Sequence, residues 1–189
     1  MTPPALAPAA ESTRTAAFLP RLCHAGSLPS GAAFVSLSPG LACALAAPDG
    51  SVAALRDVGE SGLTVHQAWN RAAERVLLDA GASEGAEFWV RPAAAILGAG
   101  APPGLEARGE VARWLAHPLL FSALHRHFES LLRPSAGLLY LSPDCRRLVV
   151  VDAVVGDLPA AVDGWAVMRY SLGFPLLCGT VSARATKVA

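Results

Sequence analysis

A chain of 189 residues, 53% of them hydrophobic, can hide roughly 70% of its unfolded surface and needs neither disulfide staples nor a structural metal to fold. Fifteen basic residues balance fifteen acidic ones, so the field that draws proteins to phosphate backbones is missing and nucleic acid is not an expected partner. An apolar fraction above the usual roughly 45–50% also excludes bulk disorder.

Residues 1–17 are rich in Pro, Ala, Ser and Thr and read as a flexible tail ahead of a single domain over 18–179. They carry no positive stretch followed by an apolar one, so no secretion signal is expected. Phe18 to Leu22 reads as a short docking turn. Ala33–Leu37 and Leu41–Ala47 are apolar runs around Ser38-Pro39-Gly40, a hairpin signal, and Ser51–Leu55 follows Pro48-Asp49-Gly50 as a third strand. The first helix is set by Thr64 with Gln67 three residues on, the spacing of a capping box, and by Gly81 at its end. Its inner face is Val65, Trp69, Ala72, Val76 and Ala80, with Trp69 as the core anchor. Glu87 to Val90 predicts a strand, Ala93–Gly104 a surface loop able to fold over Trp89, and Leu105–Arg108 a short returning strand.

Pro118, a favourable first helical residue, opens a second helix that runs to Leu132 ahead of Pro134. Gly137–Leu141 and Arg147–Asp152 pair as a hairpin, and Trp165–Tyr170 is strand-like before a break at Gly173 and Pro175. Residues 180–189 read as a polar tail. Connections this short do not allow parallel crossovers, so the fold class is α+β: a mainly antiparallel sheet of hairpins with two principal helices packed on one face. The longest apolar runs, such as Leu148 to Val155, are broken by charge and far short of the roughly 20 residues a membrane span needs, and no membrane partner is expected.

Three of the five histidines, His117, His125 and His127, fall at or in the second helix. With Leu120 at zero, Leu120, Phe121, Leu124, Phe128, Leu131 and Leu132 fill an arc of about 120°, with His125 outside one edge and His127 outside the other. Those two rings point apart, because residues two apart on a helix do not face each other. His117 lies roughly 12 Å along the axis from His125 at about 1.5 Å per residue. No metal site is expected, since helical zinc ligands want i and i+4 spacing. A rim histidine acting as a general base with a nearby Ser or Cys, in hydrolysis or acyl transfer, is the catalytic alternative.

The four cysteines, Cys23, Cys43, Cys145 and Cys178, show no C-x-x-C pair and read as free thiols in a reducing cytoplasm. Cys145 stands between Asp144 and the arginines Arg146 and Arg147, which are expected to lower its pKa and make it the first thiol to react. Adjacent Cys23 and His24 point to opposite sides of an extended chain and form no dyad. There is no P-loop, no G-x-S-x-G, no H-E-x-x-H and no clustered set of carboxylates, and Gly98-Ala-Gly100 lacks the third glycine of a dinucleotide fingerprint, so no cofactor is expected.

Glu87-Phe-Trp-Val-Arg91 alternates, putting Trp89 and Arg91 on the face opposite Phe88 and Val90. Trp89, Arg91 and Trp165 are the candidate binding residues, of the types enriched at interface hot spots. The segments 62–73, 114–118, 139–144 and 169–175 together resemble a family of conserved uncharacterised actinobacterial proteins. That resemblance implies a small cytoplasmic protein and carries no activity or catalytic residue. The sequence reading is thus a non-enzymatic domain binding a protein partner or itself, with the enzyme and a small apolar-ligand binder as alternatives.

Overall fold

The structure, a computed structural model, describes residues 18–81 and 89–180; the expected tails and the Glu87–Phe88 part of the expected strand lie outside them. The described chain runs β1 (Leu19–His24), β2 (Phe34–Ser38), β3 (Leu41–Ala46), α1 (Leu55–Glu60), α2 (Val65–Gly81), β4 (Val90–Pro92), α3 (Ala94–Leu97) and β5 (Gly104–Ala107). A 3-10 turn over Val111–Ala116 leads into α4 (Pro118–Leu132), then β6 (Leu138–Ser142), β7 (Leu148–Asp152), β8 (Ala166–Ser171) and β9 (Phe174–Thr180). The fold is α+β, and every strand pairing is antiparallel. The strands divide into a three-stranded sheet, β1-β3-β2, and a six-stranded sheet, β4-β5-β7-β6-β8-β9.

The first sheet corrects two expectations. Phe18 to Leu22 is no docking turn: β1 pairs along its whole length with β3, from Leu19 opposite Ala46 to His24 opposite Leu41. Pro20 hid it, and Pro20 is tolerated because β1 is an edge strand where a missing donor costs no ladder bond. Ser51–Leu55 is no third strand. It makes only single bridges, Val52 to Ala46 and Ala54 to Ala32. The Asp57 carboxylate reaches back to accept from the Ala54 N–H (3.0 Å), which starts α1 at Leu55.

α2 begins on the predicted capping box: the Gln67 N–H donates to Thr64 Oγ1 (3.2 Å) and the Thr64 N–H to Gln67 Oε1 (2.9 Å). Its buried face is Ala68, Trp69, Ala72, Ala73 and Val76. The Trp69 indole N–H donates to the Ala116 carbonyl (2.8 Å), tying α2 to the 3-10 turn before α4.

The large sheet is covered on both faces, which is why β6 and β7 read as continuous apolar runs. Leu138, Tyr140, Leu148, Val150, Ala166 and Met168 face the main core, shared with α2, α4 and the small sheet. Leu139, Leu141, Val149, Val151 and Val167 face a second core closed by Ala93, Leu97 and Val162. Ala93–Gly104 is therefore not a plain surface loop: it contains α3, and burial of Ala93 and Leu97 seats it on the sheet.

Gly173 and Pro175 do not break the last strand. Leu172 (φ +50°) and Gly173 (φ +90°) form a two-residue hairpin turn, and Pro175 sits in edge strand β9 opposite Tyr170. A Cβ on Gly173 would lie 2.8 Å from the Pro118 Cβ, so the turn packs against the start of α4. The two sheets meet where Ser38 Oγ donates to the Pro175 carbonyl (2.6 Å). No described helix is long and apolar enough to cross a membrane.

Candidate functional site

The histidines of α4 diverge, each into a different local role. His117 is buried and caps α4 by its side chain: Nδ1 accepts from the Leu119 N–H (3.2 Å). Its Nε2 lies 3.1 Å from Asn70 Oδ1, an acceptor, so the proton sits on Nε2 and the ring is neutral. Trp69 covers it at a centroid distance of 4.4 Å. Burial pushes its pKa from 6.5 down to about 4.

His125 packs over the large sheet, stacked on Tyr170 (4.0 Å between centroids, 9° between planes). Its Nδ1 is 2.7 Å from the hydroxyl of Tyr140, whose side chain is fully buried, and its Nε2 is 3.4 Å from Glu129 Oε1. Phe121 meets both tyrosines edge-on, and Ser122 Oγ lies 3.0 Å from the Tyr170 hydroxyl. The Tyr140 hydroxyl donates to the neutral imidazole. Burial lowers the His125 pKa, opposed by Glu129, and raises that of Tyr140 well above the ordinary phenol range. Both shifts keep the pair uncharged, the opposite of an activated nucleophile.

His127 is exposed beside Phe128. Among the described residues no hydrogen bond joins any of the three rings to a serine or cysteine; the one hydroxyl they meet is that of Tyr140. No group of three or more potential metal ligands gathers among them either.

The pKa of Cys145 departs from the expected lowering by Arg146 and Arg147. The thiol is buried, and burial pushes its pKa up to about 11, with Cys23 and Asp144 raising it further and Arg21 opposing. The neighbouring charge is used elsewhere: Asp144 accepts from the Arg146 and Arg147 N–H groups (2.9 and 2.8 Å), and its other oxygen takes the Arg147 Nε (3.0 Å). The same bonds, acting against burial, hold the Asp144 carboxyl below its usual range. Burial also raises Cys23, and Cys43 to about 12; all four cysteines are free thiols.

The candidate binding residues separate. Trp165 is half buried and packs against the second core. Trp89 is 83% exposed, and the 93–104 segment does not cover it. The Arg91 guanidinium pairs with Glu106, a carboxylate otherwise buried in β5, which fixes the outer strand in register. Beside them, the Arg108 N–H donates to the Trp89 carbonyl (2.8 Å). Sequence reasoning missed Asn70, Tyr140 and Tyr170 as partners of the histidines. The Tyr140 contact had no local signal, because it depends on how β6 seats under α4. Comparison with protein-family profiles, curated proteins and solved structures finds no match to this chain.

Proposed function

We propose that this chain is a non-enzymatic α+β domain that docks a protein partner at the outer edge of its large sheet, around Trp89. One observation carries the reading: an indole 83% exposed, followed by Val90 at 43%, on a residue whose backbone pairs with the exposed Arg108 and which lies two positions from Arg91. Covering a Trp side chain removes about 150–250 Å² from water, a gain of several kcal/mol, and Trp with Arg is the hot-spot pairing. Arg108 makes no ion pair among the described residues, so the surface that fits carries carboxylates around an apolar residue. Docking is by side chains and not by an added strand: β4 has three residues, and Pro92 lacks a donor, features that guard an edge.

The test is in-cell photo-crosslinking from a photoreactive residue at position 89, with position 78, an exposed leucine on α2, as control. We expect one discrete adduct from position 89 that Arg108→Glu abolishes. An adduct at twice the chain's mass would make the partner a second copy. The same diffuse pattern from both positions would remove the proposal.

A further inference from the structure

A cavity of about 200 Å³ opens between the two sheets, and its described lining includes none of Trp89, Arg91, Arg108, His117, His125 and His127. Its walls come from β1 (Leu19–Leu22), the end of β3 with the following turn (Ala46–Pro48 and Gly50), Glu110 and Arg113 by the 3-10 turn, and Cys145-Arg146 in the β6–β7 turn. Three arginines therefore reach one concavity from three separate parts of the chain: Arg21, Arg113 and Arg146.

None of the three makes an ion pair among the described residues, whereas Arg56, Arg75, Arg91 and Arg147 each have a carboxylate partner there. Two are held at the wall by neutral backbone oxygens: Arg21 Nη1 donates to the Gly50 carbonyl (3.3 Å) and Arg113 Nε to the Glu110 carbonyl (3.0 Å). A guanidinium has five N–H donors, so each keeps most of its fork for something else. The Arg146 side chain makes no hydrogen bond among the described residues, although its carbonyl is fixed by the Ala112 N–H (3.1 Å). Among the described lining residues one carboxylate, Glu110, stands against these three cations. Cys145 adds no charge near neutrality, because its thiol stays protonated.

We propose that this cavity binds a small organic phosphate monoester. Three guanidiniums against one carboxylate leave an excess of two positive charges, which matches a phosphate monoester dianion. The planar forks suit its oxygens. Leu19, Pro20, Leu22, Ala46 and Pro48 give the ester's organic part an apolar wall. The volume is below the roughly 300 Å³ at which drug-sized pockets begin, so it admits a phosphate with a compact substituent and little more. Glu110 is a competing anion: it repels the ligand and tunes affinity downward.

Calorimetric titration of the full chain with phenyl phosphate, at about pH 8 where the monoester is dianionic, tests this. We expect saturable one-to-one binding, competed by inorganic phosphate and much weaker for benzoate, which has the ring without the dianion. Arg113→Ala and Arg146→Ala should each weaken binding about tenfold or more, and Glu110→Gln should strengthen it. Arg146 lies exposed on a turn, so its variant keeps the test open if Arg113→Ala unfolds; melting curves identify that case. Absence of saturation, or undiminished affinity in Arg146→Ala, overturns the proposal. Benzoate binding as well as phenyl phosphate would show an apolar site and overturn it too.

Discussion

His117 shows how a residue that looks reactive in the sequence is used by the fold. Its two nitrogens have opposite roles, Nδ1 accepting from Leu119 and Nε2 donating to Asn70, so a second proton on Nδ1 would face an N–H and break the cap. The folded pKa, about 4, lies below the ordinary 6.5, so the unfolded chain binds more protons between those values. This contribution to stability is complete above pH 6.5 and is lost as pH falls toward about 4, amounting to no more than about 3 kcal/mol. His117→Asn keeps a capping oxygen but has nothing to titrate. Denaturant melts should therefore show a shallower fall across that window than the parent, and identical pH profiles would contradict the assigned tautomer. The carboxyls of Asp49, Asp144 and Asp152 are held below 3.8 and lose their contributions lower on the scale, outside the comparison. The cap position itself was legible, since Pro118 marks the first turn. The Asn70 contact was not, because it joins residues 47 positions apart.

At the scale of elements, legibility followed local punctuation. α4 runs over the predicted Pro118–Leu132 because proline opens it and Arg133, with φ +47°, ends it one residue before Pro134. α2 follows its capping box for the same local reason. β1 was missed because its strand character depends on β3 lying alongside and not on alternation, and Pro20 argued against it. The β8–β9 turn was read as a break because Gly173 and Pro175 are breakers in isolation; at a sheet edge they fit a tight hairpin. That turn gives a direct check. Gly173 and Gly62 both have positive φ, but a Cβ meets Pro118 at 2.8 Å at Gly173 and nothing within 4 Å at Gly62. Gly62→Ala should cost about 1 kcal/mol of backbone strain, and Gly173→Ala about 2 kcal/mol or more, because the start of α4 must also shift. Equal losses would mean that the turn does not seat against α4.

For the molecule as a whole, the α+β class, the antiparallel pairing and the two main helices could be read from pattern and short connections. The division into two sheets could not. It is fixed by which strands find each other across the chain, as when β2 meets β9 through Ser38 and Pro175. The proposed sites differ in the same way: Trp89 and Arg91 are two residues apart at the start of β4 and could be singled out from the sequence, whereas Arg21, Arg113 and Arg146 converge only in three dimensions. The two imidazoles nearest the core, His117 at the cap of α4 and His125 within it, serve capping and packing. Nitrogen-15 NMR of the histidine rings tests these roles most directly, by reading tautomer and titration at His117 and His125 in one experiment. We expect a neutral His117 with its proton on Nε2 and a midpoint well below 6.5, and a His125 likewise depressed with Nδ1 unprotonated. A His117 or His125 that titrates above 6.5, or carries its proton on Nδ1, would contradict them.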